Sequence, residues 1–361
     1  MARAATADTR RVVAVPRRQR PALDRNPPVL HDAGLPMPKK PQPPQPTPGA
    51  RPLRIRPLAE RKNLVKKDDF AKVLPPVEGF LGWFEALPDI YGSKALKLVV
   101  DRIVTARQQG RQVGVSLGAH VLKVGLSPLL IDLMRRGFLT HVATNGASAI
   151  HDWETAFQGA TSEDVAQNLP DGSFGFWRET LTALNGAAKR AADRGEGFGE
   201  AIGRQILDDD LPYRHLSVFA EAARLGIPAT VHVAFGCDIT HMDPDLDGAA
   251  LGAATQRDFW SIADTVGKLD HGVWLNVGSA VIMPEVFLKA VSIARNRGQL
   301  GADFLTCNFD MIQQYRAVTN VVQRPPKEGK SVIAMHEIVL PLLHQAILCT
   351  AEARGCLQEP R

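Results

Sequence analysis

At 361 residues, 45% hydrophobic and 22% charged, the chain can bury one large core or two moderate ones, which excludes a wholly disordered or fibrous protein. Its formal charge of +5 is uneven: residues 1–67 carry 16 Lys and Arg against 4 Asp and Glu, a net +12, which leaves −7 for the rest. The basic character belongs to the start of the chain, so the overall balance says little about what the body binds.

The first 60 residues also hold 13 of the 26 prolines and few large apolar side chains. Residues 1–65 are therefore expected to be a disordered, polyproline-like tail, able to serve as an arm for an acidic partner or nucleic acid. Residues 66–361 are expected to form a single domain. Cys237, Cys307, Cys349 and Cys356 show no C-x-x-C spacing, as expected of reduced thiols in a cytoplasmic protein. No apolar stretch reaches the ~18 residues of a membrane span.

From residue 94 two periodicities alternate. A helical pattern over 94–110 precedes the strand QVGVSL (112–117) and the turn Gly118-Ala119-His120. A helix over 128–138 leads to a second strand, HVATNGAS (141–148). Residues 153–215 read as a helical insertion with amphipathic segments at 174–195 and 197–207. The alternation resumes with a helix over 217–228, the strand ATVHVAFGCD (229–238), a helix over 255–269 and the strand GVWLNVGSA (272–280). A helix over 284–298, the strand ADFLTCNFD (302–310), a further strand over 330–337 and a closing helix complete it. Six near-continuous apolar strands separated by helices predict an α/β fold with a doubly wound parallel sheet, Rossmann-like in layout.

In such a sheet, ligands bind beyond the carboxyl ends of the strands. Those ends read Gly118-Ala119-His120, Thr144-Asn145-Gly146-Ala147-Ser148, Gly236-Cys237-Asp238, Asn276-Val277-Gly278-Ser279, Asn308-Phe309-Asp310 and His336-Glu337. Together they describe one polar, glycine-lined cleft, in which amide side chains reach ribose or substrate edges and glycines admit a phosphate chain. Neither G-x-G-x-x-G nor G-x-x-x-x-G-K-[ST] is present, so a nucleotide site here is of another type.

GCDITHMDPDLDGA sets Asp238, His241, Asp243, Asp245 and Asp247 within ten residues. Asp238 and His241 suit proton transfer, the carboxylate fixing the imidazole tautomer. The later aspartates lack the closing Glu of a calcium loop and read as helix-capping acids, with metal ligation the competing reading. In AIHDWE (149–154), His151, Asp152 and Glu154 suit a helix N-terminus. His336-Glu337 is not H-E-x-x-H.

The order of these loops over residues 95–350 resembles deoxyhypusine synthase. VGVSLGAHVLKVGLSPLLIDLMRRGFLTHVATNGASAIHDWE resembles that family's first nicotinamide-dinucleotide segment, with Ala119 and His120 in its turn, Gly146 and Ala147 in its glycine loop and Asp152 on its final acid. GVWLNVGSAVIMPEVFLKAV is similar to the Leu-Gly-Gly-Gly segment, and Asn308 falls on the Asn of a later strand. The resemblance implies NAD as cofactor, a homotetramer and transferase or oxidoreductase chemistry on a small amine-type substrate. The convergence of the polar strand ends, taken with that cofactor, gives the expected cleft as Gly118, His120, Asn145, Gly146, Ser148, Gly278, Ser279, Asn308 and Asp310, with Asp238 and His241 the candidates for proton transfer and no metal expected. Two departures argue against deoxyhypusine synthesis itself. The family's imine-forming lysine is replaced by Met283, which cannot form a Schiff base, and its paired glutamates by Ile150 and His151. The alternatives are a metal-dependent hydrolase or isomerase using His241, Asp243, Asp245 and His336, and a non-catalytic nucleotide-binding module.

Overall fold

Each apolar run of the sequence becomes a strand with helices over both faces, which is why those runs need no polar alternation. The structure, a computed structural model, describes residues 54–67 and 79–361, and Pro52–Arg361 form one compact unit. The first part comprises β1 (Asn63–Lys66), α1 (Phe80–Glu85), α2 (Tyr91–Gln108), β2 (Val113–Leu117), α3 (Ala119–Lys123), α4 (Ser127–Arg135) and β3 (His141–Asn145). A long crossover follows: α5 (Gly146–Gln158), β4 (Ala160–Glu163), α6 (Val165–Asn168), α7 (Arg178–Arg194), α8 (Phe198–Asp208) and α9 (Val218–Leu225). The second part comprises β5 (Ala229–His232), α10 (Gly248–Val266), β6 (Val273–Val277), α11 (Ile282–Asn296), β7 (Leu305–Asp310), α12 (Tyr315–Ala317), β8 (Glu328–Ile333) and α13 (His336–Ala353).

The six main strands pair in parallel in the order β5-β3-β2-β6-β7-β8. The chain runs outward from β2 through β3 to β5, returns to lay β6 beside β2, and continues outward through β7 and β8. This is the doubly wound arrangement the sequence predicts, and it puts the reversal of direction between β2 and β6. Leu117 lies level with Val277, so both strands end together at that reversal.

One face is covered by α2, α4, α9 and α13, the other by α10 and α11. The second face has its own core, in which Ile262, Ala263 and Val266 of α10 meet Met283, Phe287 and Val291 of α11 around Trp274. The Trp274 ring stacks on Phe287 with centroids 5.0 Å apart, and its Nε1–H donates to Ser116 Oγ at 2.9 Å. It also lies across β2 at Gly114, where an added methyl group would sit 2.2 Å from the ring, so this strand position must be glycine.

The expected boundary of the tail at residue 65 is corrected by the packing of residues 54–66. Leu58 is fully buried, Arg56 pairs with Trp177, and β1 forms an antiparallel ladder with β4. The sequence reading missed this because so short a strand has no periodicity of its own and draws its partner from 94–100 residues away. The rest of the expected tail lies outside the described residues. The expected insertion at 153–215 contains helices α7 and α8, but α5 already begins at Gly146 and β4 interrupts it.

Candidate functional site

The crevice at the strand reversal is built from backbone. Gly118 N–H donates to Val277 O at 2.8 Å, and Gly278 N–H donates to Phe309 O at 2.9 Å. A methyl group at Gly118 would lie 1.9 Å from the Gly278 carbonyl oxygen, so the two loops touch only because Gly118 has no side chain. Gly278 has φ +66°, and a methyl group there would lie 2.7 Å from the His336 ring.

His336 is buried. Its Nε2 lies 3.2 Å from Phe309 O, a carbonyl that only accepts, so Nε2 carries the hydrogen and Nδ1 the lone pair. That Nδ1 is buried with no hydrogen-bond partner among the described residues. The His120 ring lies 5.8 Å from His336, and burial, then the Lys123 ammonium and His336, lower the His120 pKa against the opposing pull of Glu337 and Asp310.

Other predicted cleft residues are turned inward. Asn276 Nδ2–H donates to Ser279 O at 2.9 Å and to Asn308 Oδ1 at 2.7 Å, so buried Asn308 holds the Gly278–Ser279 turn from beneath. Ser279 Oγ accepts from Met283 N at the start of α11. Asn145 caps α5, its Oδ1 accepting from Ser148 N at 3.1 Å and from Ser148 Oγ at 2.8 Å. Gly146 is occluded by the Asp238 carboxylate, whose Oδ2 would lie 2.0 Å from a methyl group there. That anion already occupies the N-terminus of α5, so like charge and lack of space keep a phosphate away from it. Asp310 is nearly buried and accepts from Met311 N at 2.8 Å.

Beside the crevice lies a pocket of about 480 Å³ whose walls include Lys123, His151, Glu163, Cys237, Asp238 and Ile239. Asp238 receives the Ala147 backbone N–H, yet burial lifts its pKa to about 6, and Oδ2 is buried with no hydrogen-bond partner among the described residues. His151 sits on α5 with Nδ1 2.7 Å from Thr161 Oγ1, and burial lowers its pKa to about 4. Glu154, one turn further along α5, is paired by Arg61 Nη1 and Nη2 in a bidentate contact and receives the hydroxyls of Thr161 at 2.6 Å and Thr180 at 3.1 Å. Lys123, at the end of α3, forms no ion pair among the described residues.

The structure brings Asp238 and His241 to 3.8 Å, but the histidine serves its own loop. His241 Nδ1 accepts from Gly236 N at 3.1 Å and Asp238 N at 3.4 Å, and its ring stacks on Phe235 at 4.7 Å. Asp243 accepts from Asn185 Nδ2 and Asp245 N, and Asp247 caps α10 through Ala249 N and Ala250 N. These are the capping and loop roles expected of such acids. Among the described residues no group of three or more His, Cys, Asp and Glu could hold a metal ion. Asp152 caps α9 through Ser217 Oγ, Val218 N and Phe219 N. Met283 is wholly buried under the sheet and Lys289 is exposed and paired with Glu285, so neither presents an amine or thioether to the cleft.

Sequence reasoning missed Arg61, Lys123, Thr161 and Glu163 as neighbours of the pocket. Only the single lysine after Gly118-Ala119-His120, one helical turn beyond a strand end, carried a legible signal.

No family model matches the chain. The chain is similar to an ornithine cyclodeaminase of Methanothermobacter thermautotrophicus, 25% identical over an alignment of 181 positions that covers 46% of this chain and 44% of that protein. It thus spans less than half the length of that relative. Among solved structures, AgrE in complex with ornithine and NAD+ has a TM-score of 0.46 at 17% identity, covering 72% of this chain and 34% of that one. A conserved putative LOR/SDH protein from Methanococcus maripaludis S2 has a TM-score of 0.47 at 16% identity, covering 78% and 75%. A putative deoxyhypusine synthase from Entamoeba histolytica has a TM-score of 0.44 at 12% identity, covering 70% and 86%. No helix among the described residues is long and apolar enough to cross a membrane.

Proposed function

We propose that the protein is an NAD-dependent enzyme acting on a small amine-bearing substrate, with the dinucleotide across the β2–β6 crevice and the substrate in the adjoining pocket. The observation that carries this reading is the strand reversal between β2 and β6, where Gly118 and Gly278 close backbone on backbone. Open α/β sheets bind dinucleotides at that point. The orphaned His336 Nδ1 fits such a group, as an acceptor suited to a ribose hydroxyl. The similarity to an ornithine cyclodeaminase supports an amino acid as the amine-bearing substrate.

NAD supplies a hydride acceptor when bound. The chain supplies the rest. His336 would hold the cofactor at the crevice that Gly118 and Gly278 shape; His120 and Asp310 would border it; Lys123 would attract a substrate carboxylate. Asp238, a wall of the pocket lifted to about 6 by burial, exchanges a proton with the substrate at neutral pH. Assembly as a homo-oligomer belongs to this reading and is checked by the mass of the purified protein in solution.

Calorimetric titration with NAD+ tests the assignment. Saturable binding is expected, weakened about tenfold by His336→Leu, the worth of one hydrogen bond of ~1.4 kcal/mol. Absence of binding by the wild-type protein would refute it. Gly118→Ala is expected to lose both NAD+ affinity and stability, the latter by ~1–3 kcal/mol in urea unfolding, because its methyl group has no room beside Gly278.

A further inference from the structure

We infer that His151 recognises the amine of the substrate through a bare Nε2, and that a buried chain from Arg61 through Glu154 and Thr161 holds the ring in the tautomer this requires. The inference rests on the substrate pocket proposed above, and it follows from counting hydrogens.

Glu154 is fully buried and gripped at both oxygens by Arg61, which makes it a carboxylate able only to accept. Thr161 has a single hydroxyl hydrogen, and it goes to Glu154 Oε2 at 2.6 Å. Toward His151 Nδ1, 2.7 Å away, Thr161 Oγ1 can therefore only accept. Nδ1 carries the hydrogen and Nε2 the lone pair.

Three segments cooperate to build this. His151 and Glu154 lie one turn apart on α5, Thr161 lies on β4, and the β1–β4 ladder places Thr161 opposite Val65, in the strand that follows Arg61. The charged and titratable groups facing His151 are Glu154, Arg61, Lys123 and His120, and burial outweighs them all in keeping the ring neutral.

A neutral imidazole with a bare Nε2 binds an N–H or O–H donor and repels a carboxylate or carbonyl oxygen. The same pocket holds the carboxylates of Asp238 and Glu163, which give a cationic donor the negative potential it needs, and Lys123, in no ion pair among the described residues, which suits an acid group. The ligand class is a small zwitterionic amino acid with its amine on His151.

The first measurement is the nitrogen NMR spectrum of the imidazoles in the full-length protein without cofactor. The Nδ1–H tautomer of His151 is expected, unchanged between about pH 6 and 8. An Nε2–H ring, or one that titrates in that interval, would overturn the inference. Thr161→Val is expected to release the ring into a mixture of tautomers, and Thr161→Ser to restore the single form. In calorimetry with L-ornithine as the probe, His151→Leu is expected to weaken binding at least about tenfold and Thr161→Val about threefold or more, while neither substitution weakens whatever binding glutarate, which lacks an amine, shows to the wild type. Equal ornithine affinity in wild type and Thr161→Val, or no ornithine binding by wild type, would overturn it. Intact tautomer and ornithine results without NAD+ binding would defeat the cofactor assignment and leave this inference standing.

Discussion

Replacing Arg61 by methionine keeps the volume of the side chain and removes its charge from a site where both partners of the ion pair are shielded, the two side chains being 2% and 0% exposed. Glu154 would then keep only the hydroxyls of Thr161 and Thr180, and the Asn63 contact at 2.7 Å and the guanidinium over the Trp177 ring would go as well. An uncompensated buried charge of this kind costs about 3–5 kcal/mol. For a domain of this size that corresponds to a fall in Tm on the order of 6–15 °C. Urea unfolding followed by tryptophan fluorescence measures the loss directly. The double variant Arg61→Met with Glu154→Met removes both charges and is expected to regain at least ~2 kcal/mol over the sum of the two single losses. The reasoning fails if Arg61→Met costs less than ~1 kcal/mol, or if the single losses simply add.

Asp258 is buried, accepts from Gly199 N at 3.0 Å and Val231 N at 2.8 Å, and is pushed up by burial to about 8 from its ordinary 3.8. A raised pKa means the folded state holds the proton more tightly, so this group's contribution is complete below pH 3.8 and is lost as pH rises toward about 8. Stability measured from pH 6 to 8 is expected to fall in the wild type and to fall less in Asp258→Asn, which keeps an oxygen for both N–H groups; identical slopes would refute the assignment. Among the cysteines, Cys237 is exposed, whereas Cys307 is buried and its thiol pushed well above its ordinary range. A maleimide is expected to label Cys237 in the native protein and Cys307 only on unfolding, as read by peptide mass.

The strand ends show how far local pattern reaches. Small and polar residues after each apolar run lie at the carboxyl edge of the sheet, and Gly118 and Gly278 meet there. Which of those side chains face the cleft was not legible. Asn308 and Asn276 read as cleft amides but bind each other, because adjacent parallel strands bring them level, and that pairing is a fact of strand order. Gly146 read as a phosphate loop, yet a carboxylate 92 residues later in the chain fills its open side.

The sequence by itself determined the class of fold, the six main strands, the capping role of Asp247 and the absence of a lysine at position 283. These depend on residue type and on periods of two and 3.6, which any short window contains. Tertiary structure decided where residues 54–66 belong, which carboxylate covers α5, and which hydrogen His151 carries. Each of those turns on a partner distant in sequence, as Arg61 is from Glu154 by 93 residues, and a buried charge or hydroxyl takes its direction from whichever partner the packing brings within reach.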